Sequence, residues 1–210
     1  MKIVGINGSP RKSWNSATVL DCALKGASSS GAEVHRIDLF DLSFCGCVSC
    51  FACKRLGGSS YSRCVQQDEL TSVLEEILQS DGLIIAAPIY YGEVPGTVRN
   101  LYERLLFPPN HYMKDYDEGY GKRIPVGLIY TMNASDPAGN HDTIARDQIS
   151  FQRFIGDTAV LNVLNCLQFD DYSKYASERF DIEKKKQDRV TVFPVYCQQA
   201  FDMGKNLVRK

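Results

Sequence analysis

The segment that decides the fold is Lys2-Ile-Val-Gly-Ile-Asn-Gly-Ser-Pro-Arg-Lys-Ser-Trp-Asn-Ser-Ala17, near the start of the chain. Residues 2–6 form an apolar run that predicts a buried strand. A helix follows from about Ser16, and its buried face is formed by residues at helical spacing: Val19, Leu20, Ala23 and Leu24. A strand that passes through a Gly- and Ser-containing turn into a helix predicts the first βα unit of a parallel sheet.

The rest of the chain repeats this alternation, which predicts an α/β fold with a five-stranded parallel sheet covered on both faces. The later strands are predicted at 33–39, 82–87, 124–131 and 160–167. Helices are predicted after an Asp68 cap, from Pro95 to the prolines at 108 and 109, and from Pro194. The charged run 183–189 is interpreted as a solvated surface, and 43–67 as a loop inserted at the edge of the sheet.

Length and charge narrow the possible functions. A chain of 210 residues predicts one domain, spanning 1–210. The formal charge of −1 gives no electrostatic support for a nucleic-acid or anionic membrane partner. The N-terminus lacks the pattern of a secretory signal and no apolar stretch reaches the length of a membrane span, so we expect a soluble, cytoplasmic protein.

The loop 7–17 has the character of a phosphate-binding loop. It joins the first strand to the first helix, where open α/β sheets bind ligands and where helix N–H groups attract anions. Ser9, Asn15 and Ser16 add neutral donors, and Arg11 adds a charged fork suited to phosphate oxygens. The spacing matches neither the nucleotide P-loop nor the G-x-G-x-x-G dinucleotide motif. The alternative is a polar surface turn without a ligand.

A second loop, 87–95, follows the third predicted strand and faces the same crevice in a flavodoxin-like strand order. Tyr90, Tyr91 and the backbone before Gly92 offer a flat wall and N–H donors to a heteroaromatic ring. The alternative is that the tyrosines only cover the start of the next helix.

Five cysteines lie in the run Cys45-Gly-Cys-Val-Ser-Cys-Phe-Ala-Cys53 and its continuation to Cys64. In a reducing compartment such clustering indicates a metal or redox centre before disulfides. The remaining cysteines occupy apolar patterns and are interpreted as ordinary buried thiols: Cys22, Cys166 and Cys197.

Together, the motif at 8–12, the motif at 88–92 and the cysteine loop between them resemble the NAD(P)H-dependent FMN reductases and iron-sulfur flavoproteins of the flavodoxin-like fold. The resemblance covers essentially the whole chain and implies a three-layer sandwich that binds FMN. It implies that the phosphate lies on Ser9, Arg11, Asn15, Ser16 and Ala17. It implies that the ring lies against Pro88, Ile89, Tyr90, Tyr91, Gly92 and Glu93, with a third loop at Thr131, Met132 and Asn133.

The resemblance further implies a homodimer or homotetramer, for which the segment 111–120 is either a lid over the flavin or an exposed loop. The flavin accepts a hydride and passes on electrons, so no catalytic side chain is obligatory. His35, His111 and His141 show no metal spacing or nucleophile partner, and we assign them no catalytic role.

The cysteine spacing differs from that of the iron-sulfur flavoproteins, in which the fourth cysteine follows the third by only a few residues. Here ten residues separate Cys53 from Cys64. Three alternatives for this loop therefore remain open. The first is a [4Fe-4S] cluster on Cys47, Cys50, Cys53 and Cys64, with Cys45 as a substitute ligand; the second is a structural zinc; the third is a loop without metal. Three functions follow: an NAD(P)H-dependent FMN oxidoreductase acting on a flavin, quinone or similar small acceptor; a relay between a ferredoxin-like donor and FMN; and a non-enzymatic redox sensor. The sequence does not distinguish NADH from NADPH.

Overall fold

The computed structural model describes residues 1–113 and 119–208. Within these ranges five strands form one parallel sheet in the order β2-β1-β3-β4-β5. Their bounds are β1 (Lys2–Asn7), β2 (Glu33–Asp38), β3 (Gly82–Pro88), β4 (Val126–Thr131) and β5 (Thr158–Val163). This order confirms the predicted flavodoxin-like fold, in which ligands bind where the strand order reverses.

Helices cover both faces of the sheet, as the apolar composition of the central strands requires. The described residues form α1 (Asn15–Ser29), α2 (Glu69–Gln79), α3 (Gly96–Leu106), α4 (His141–Phe154), α5 (Ile182–Thr191) and α6 (Phe193–Val208). One core packs α2, α3 and α4 against the sheet, and the other packs α1 and α6 against the opposite face. No helix in the described ranges is long and apolar enough to cross a membrane.

The register of the sheet brings three loops to one edge. Asn7 at the end of β1 pairs with Ala86 of β3, and Pro88 at the end of β3 pairs with Thr131 of β4. The Gly8 N–H then donates a 2.8 Å hydrogen bond to Ala86 O. The loops that leave β1, β3 and β4 therefore begin side by side at the carboxyl edge.

Several elements differ from the sequence-based expectation. Strand β4 begins at Val126 rather than at residue 124. The fifth strand ends at Val163 rather than at residue 167, because its pairing with β4 ends at the Thr131–Val163 pair. Asn165 then adopts a left-handed conformation, with φ of 49°, and the chain turns back over the edge of the sheet. Helix α4 was not predicted, and α6 begins at Phe193, one residue before the predicted Pro194.

The prediction that 183–189 is a solvated surface was wrong at one position. These residues belong to α5, and the side chain of Lys185 is buried between flanking residues that are exposed. Its ammonium group donates to Asn133 O at 3.2 Å, Asn165 Oδ1 at 2.6 Å and Cys166 O at 3.4 Å. A buried ammonium is tolerated because these acceptors replace water.

Candidate functional site

A cleft at the carboxyl edge of the sheet collects most of the predicted FMN positions. Of the fourteen, ten line it: Ser9, Arg11, Asn15, Ser16, Pro88, Ile89, Tyr90, Thr131, Met132 and Asn133. The other lining residues are Trp14, Cys166, Leu167 and Gln168. Ala17, Tyr91, Gly92 and Glu93 lie outside this lining, Ala17 because it is buried in the first turn of α1.

The start of α1 has the properties of an anion site. Ser9, Asn15 and Ser16 are buried at the floor of the cleft. Trp14 occupies the N-cap position, and its side chain makes no capping hydrogen bond. The first-turn N–H groups of a helix lack intrahelical acceptors, so an uncapped start leaves donors and a positive dipole end for a ligand oxygen.

Residues 167 and 168, which the sequence did not indicate as part of the site, close this end of the cleft. The Arg11 guanidinium donates to Gln168 O at 2.6 Å, while Trp14 Nε1 and Asn15 Nδ2 donate to Leu167 O at 3.0 and 2.7 Å. The sequence placed 167 within the fifth strand, so its contribution to the site was not expected. The early end of β5 is what brings this segment over the phosphate loop.

The loop after β3 forms a tight turn at Tyr91 and Gly92, both with positive φ (51° and 82°). The Tyr90 N–H donates to Glu93 O at 2.7 Å, and the Glu93 N–H donates to Tyr90 O at 3.1 Å. Two successive left-handed residues between paired neighbours are typical of hairpin turns. The turn directs Tyr90 to the cleft and leaves Tyr91 fully exposed.

Glu93 supports this turn from outside the cleft. Arg99 on α3 donates to Glu93 Oε2 at 2.5 Å and to Asp147 Oδ1 at 3.0 Å. Asp147 also accepts a 3.1 Å hydrogen bond from the Tyr130 hydroxyl, and burial raises the pKa of its carboxyl group. Asp147 was missed because α4, which carries it, was not predicted. The role of Arg99 on α3 was missed because it depends on this contact with Asp147.

The chemistry of the cleft fits a phosphate-bearing flavin. One end has an uncapped helix start, hydroxyl groups and one guanidinium group, which suit a phosphate. On the loop after β4, Asn133 Oδ1 is buried and has no hydrogen-bond partner in the described part of the chain. A buried amide oxygen without a donor is costly. A heteroaromatic ring with N–H groups would carry such a donor.

The four cysteines proposed as cluster ligands line one second cavity. The lining consists of residues from the cysteine loop, from the segment before α2 and from the end of α3, among them Cys47, Cys50, Cys53, Cys64, Phe51, Arg104 and Phe107. Cys45 lies outside this lining, and its thiol donates to Gln66 Oε1 at 3.2 Å. Across residues 1–113 and 119–208, no three His, Cys, Asp or Glu side chains are grouped closely enough for a single metal ion.

Two cations stand beside this second cavity. Arg104 is buried, pairs with Asp68, and its Nε has no hydrogen-bond partner in the described ranges. Lys54 donates to Phe107 O and to Asn110 O, the latter at 2.7 Å, and burial lowers the pKa of its ammonium group. Four sulfurs beside two cations suit a thiolate-bound group with net negative charge.

The long spacer between Cys53 and Cys64 is fixed by His111. The Tyr61 hydroxyl lies 3.1 Å from His111 Nδ1, the Ser62 hydroxyl lies 3.1 Å from its Nε2, and the Tyr61 and His111 rings stack at 5.1 Å. The cysteine loop therefore packs on α3 and the segment after it, away from the edge strand β2 where it begins.

The segment 111–120 was considered as a lid over the flavin. Residues 114–118 of this segment, with Tyr116, lie outside the described residues. In the described part of the segment, no residue lines the cleft. His111 packs against the cysteine loop, and the Tyr120 hydroxyl donates to Leu105 O at 2.7 Å.

Comparison with known proteins relates the chain to flavoproteins. A family described as NADPH-dependent FMN reductase matches residues 1–142. An iron-sulfur flavoprotein from Archaeoglobus fulgidus is 36% identical over 126 residues, which is 60% of this chain and 54% of the relative. An iron-sulfur flavoprotein from Methanosarcina thermophila is 31% identical over 146 residues, 69% of each chain. The chain thus spans little more than half of the first relative.

Among solved structures, an azoreductase from Bacillus anthracis superimposes with a TM-score of 0.65. The alignment covers 98% of this chain and 99% of that one, at 11% sequence identity. At this identity the likeness shows a shared fold alone.

Proposed function

Since this chain belongs to the NADPH-dependent FMN reductase family, we propose that it is an oxidoreductase that takes electrons from NADPH or NADH and passes them to a small acceptor. FMN is its cofactor. A flavin, a quinone or a similar compound is the proposed acceptor class. The observation that carries the proposal is the cleft itself, where an uncapped helix start and an unpaired buried amide oxygen lie on one sheet edge.

We assign the FMN phosphate to the start of α1. Ser9 and Ser16 supply hydroxyl groups, Arg11 supplies charge, and the first-turn backbone through Ala17 supplies N–H groups. The donors of Arg11 and Asn15 already face this end of the cleft through their contacts with 167 and 168. The loop 88–93 and the loop 131–133 are assigned to the ring.

The bound FMN supplies hydride acceptance and one- or two-electron transfer. The residues of the chain bind and orient it and exclude water. Ile89 and Met132 give apolar surfaces to the cleft, and Met132 is buried. We assign to Asn133 Oδ1 a hydrogen bond from the ring; the oxygen has no other partner in the described ranges, and Lys185 donates to the backbone oxygen of the same residue. No side-chain acid or base is needed in this scheme.

The test is direct. Purified protein is titrated with FMN and assayed with NADPH and NADH against FMN, riboflavin and a soluble quinone. We expect FMN binding at micromolar concentration or tighter and turnover with at least one acceptor. Protein that folds but does not bind FMN would refute the proposal, and FMN binding without turnover would favour the redox sensor instead.

A second function is supported by the cysteine cavity. We propose that Cys47, Cys50, Cys53 and Cys64 hold a [4Fe-4S] cluster that relays electrons between a ferredoxin-like donor and FMN. The support is that these four sulfurs line one cavity beside Arg104 and Lys54 while Cys45 does not. Four thiolates are the usual ligand set of such a cluster.

Anaerobic purification with iron and sulfide analysis tests this relay. We expect about four iron and four sulfide per chain. Cys64→Ser is expected to lose most of both, whereas Cys45→Ser, in the same loop, retains them. Iron without sulfide, or equal loss in both variants, would contradict the ligand assignment. Zinc in place of iron would establish the structural alternative.

Three further assignments remain proposals. We propose one FMN-binding domain over 1–210, a homodimer or homotetramer, and a cytoplasmic location suited to reduced cysteines. Light scattering of the FMN-loaded protein tests the assembly, and a mass equal to one chain would refute it.

A further inference from the structure

Cys22 on α1 and Cys197 on α6 are two cysteines outside the second cavity. Both are partly buried, both are free thiols, and both pack against the core between these helices and the sheet. Their apolar sequence surroundings predict ordinary buried thiols. Neither belongs to the flavin cleft or to the cysteine cavity.

The two helices touch through their backbones. A Cβ atom on Gly26 would lie 1.9 Å from Phe201 O, and a Cβ atom on Gly204 would lie 1.8 Å from Ala23 O. Only glycine permits an approach this close. Side chains one turn away from these contacts are therefore held near each other.

The register of the helices places the two thiols face to face. Both helices start at the same end, because Arg189, just before α6, donates to Asn15 Oδ1 at 3.0 Å at the start of α1. Cys22 precedes Gly26 by four residues, and Cys197 precedes Phe201 by four. One helical turn back from the Gly26–Phe201 contact therefore brings Cys22 beside Cys197.

The surroundings distinguish the two sulfurs. Burial and the neighbouring Cys22 sulfur raise the pKa of Cys197 to about 12, against the opposing charges of Arg189 and Lys25. A raised pKa makes a thiol slower to react with an oxidant, so Cys197 suits the second, resolving step of disulfide formation.

We propose that Cys22 and Cys197 are a redox modification site that forms a reversible disulfide between α1 and α6 on reaction with a peroxide. Disulfides need Cα atoms about 4.4–6.8 Å apart, a spacing that helices in backbone contact provide. The inference is independent of the proposed function.

The reaction has two steps. The Cys22 sulfur attacks hydrogen peroxide, the O–O bond breaks, and the products are a sulfenic acid on Cys22 and one water. The Cys197 sulfur then attacks the Cys22 sulfur, the S–O bond breaks, and the thiol proton leaves with hydroxide as a second water. Two thiols lose two electrons and two protons, and one peroxide becomes two waters.

The bridge fixes the C-terminal helix to the helix that begins the phosphate site. It joins positions far apart in sequence, so it removes much conformational entropy from the unfolded chain. We expect the oxidised protein to unfold at a temperature roughly 5–10 °C higher than the reduced protein.

Peptide mapping tests the site. The FMN-loaded protein is treated with hydrogen peroxide, alkylated without reduction and digested with trypsin. We expect the peptides 13–25 and 190–205 to appear as one linked species that dithiothreitol separates. Cys166 is the matched control, because it is buried and its thiol donates to Val163 O instead of facing another cysteine. Its peptide, 154–174, is expected to remain unlinked.

Two conservative variants complete the test. Cys22→Ser and Cys197→Ser are each expected to abolish the linked species and the rise in unfolding temperature. Separate recovery of both peptides with alkylated thiols in wild type would overturn the proposal. So would a bridge from either residue to the cysteine loop in preference to the other.

Discussion

Asn7 and Asp38 end the neighbouring strands β1 and β2 as paired residues, and Asn7 Nδ2 donates a 2.6 Å hydrogen bond to Asp38 Oδ1. The same amide donates to Ser9 O, and its oxygen accepts from the Ser9 N–H, both at 3.2 Å. Arg36 donates to the same Asp38 oxygen at 2.7 Å. A carboxylate on the edge strand thus holds the first turn of the phosphate loop.

Asp38 should give the protein a pH-dependent part of its stability. Burial acts to raise the pKa of Asp38, but hydrogen bonds from Arg36 and Asn7 outweigh it and hold that pKa below its usual value. The stabilisation is therefore present above about pH 4 and is lost as pH falls through the lowered pKa of the folded state. We expect Asp38→Asn to lower the free energy of unfolding at neutral pH by about 1–2 kcal/mol.

Urea unfolding at neutral and acidic pH measures this effect, and the difference between variant and wild type should shrink at low pH. Asp41→Asn is the control, because Asp41 forms an exposed pair with Lys12 and such pairs contribute little. A constant difference at every pH would contradict the assignment.

Arg11 should matter for the phosphate and not for the ring. Arg11→Gln removes a charged donor from the cleft, and we expect FMN to bind roughly tenfold to a hundredfold more weakly. Riboflavin, which lacks the phosphate, should lose little affinity. Lys12→Gln is the adjacent control, since Lys12 lies outside the cleft and pairs with Asp41. Fluorescence titration with both flavins separates the outcomes, and equal losses for both would place the phosphate elsewhere.

Lys185 should be more important than the lysines beside it. Lys185→Met leaves three acceptors around the loops after β4 and β5 without their donor, and we expect a loss of about 2–3 kcal/mol in the free energy of unfolding. Lys184→Met removes only an exposed pair with Asp188 and should cost less than about 0.5 kcal/mol. Urea denaturation of the two variants checks this, and similar values would show that burial of Lys185 has no energetic role.

His111 should control access to the spacer of the cysteine loop. His111→Ala removes the contacts to Tyr61 and Ser62, so the spacer should open more often. We expect roughly tenfold faster tryptic cleavage after Arg55 or Arg63. His141→Ala, at an exposed site, is the control and should leave cleavage unchanged. Limited proteolysis followed by mass spectrometry measures the rates, and unchanged cleavage in His111→Ala would show that other contacts hold the spacer.

The sequence predicted the sheet well where strands are buried on both faces, because continuous apolar runs bounded by turns mark them. It also predicted which loops meet, since parallel strands place their carboxyl ends at one edge. Cys47, Cys50, Cys53 and Cys64, which the sequence suggested as cluster ligands, line one cavity. Whether they hold a cluster stays a prediction.

Other features depend on tertiary contacts that local patterns do not carry. The apolar pattern continues past Val163, but pairing with β4 stops there, so the length of the partner strand decides where β5 ends. Lys185 lies in a run of charged residues, and nothing local distinguishes it from Lys184. The Cys22–Cys197 contact needs the register of two helices that lie far apart in the sequence.

The pairing of the first helix with the last has a consequence for synthesis of the chain. The face of α1 that includes Ala23, Gly26 and Ala27 is covered by α6. At about 5–20 residues per second, roughly 10 to 30 seconds pass between completion of Ser29 and the start of α6 at Phe193. During that interval the apolar face of α1 remains uncovered while the rest of the chain is still being synthesised. Newly made chains are therefore expected to depend on chaperones more than the finished protein does.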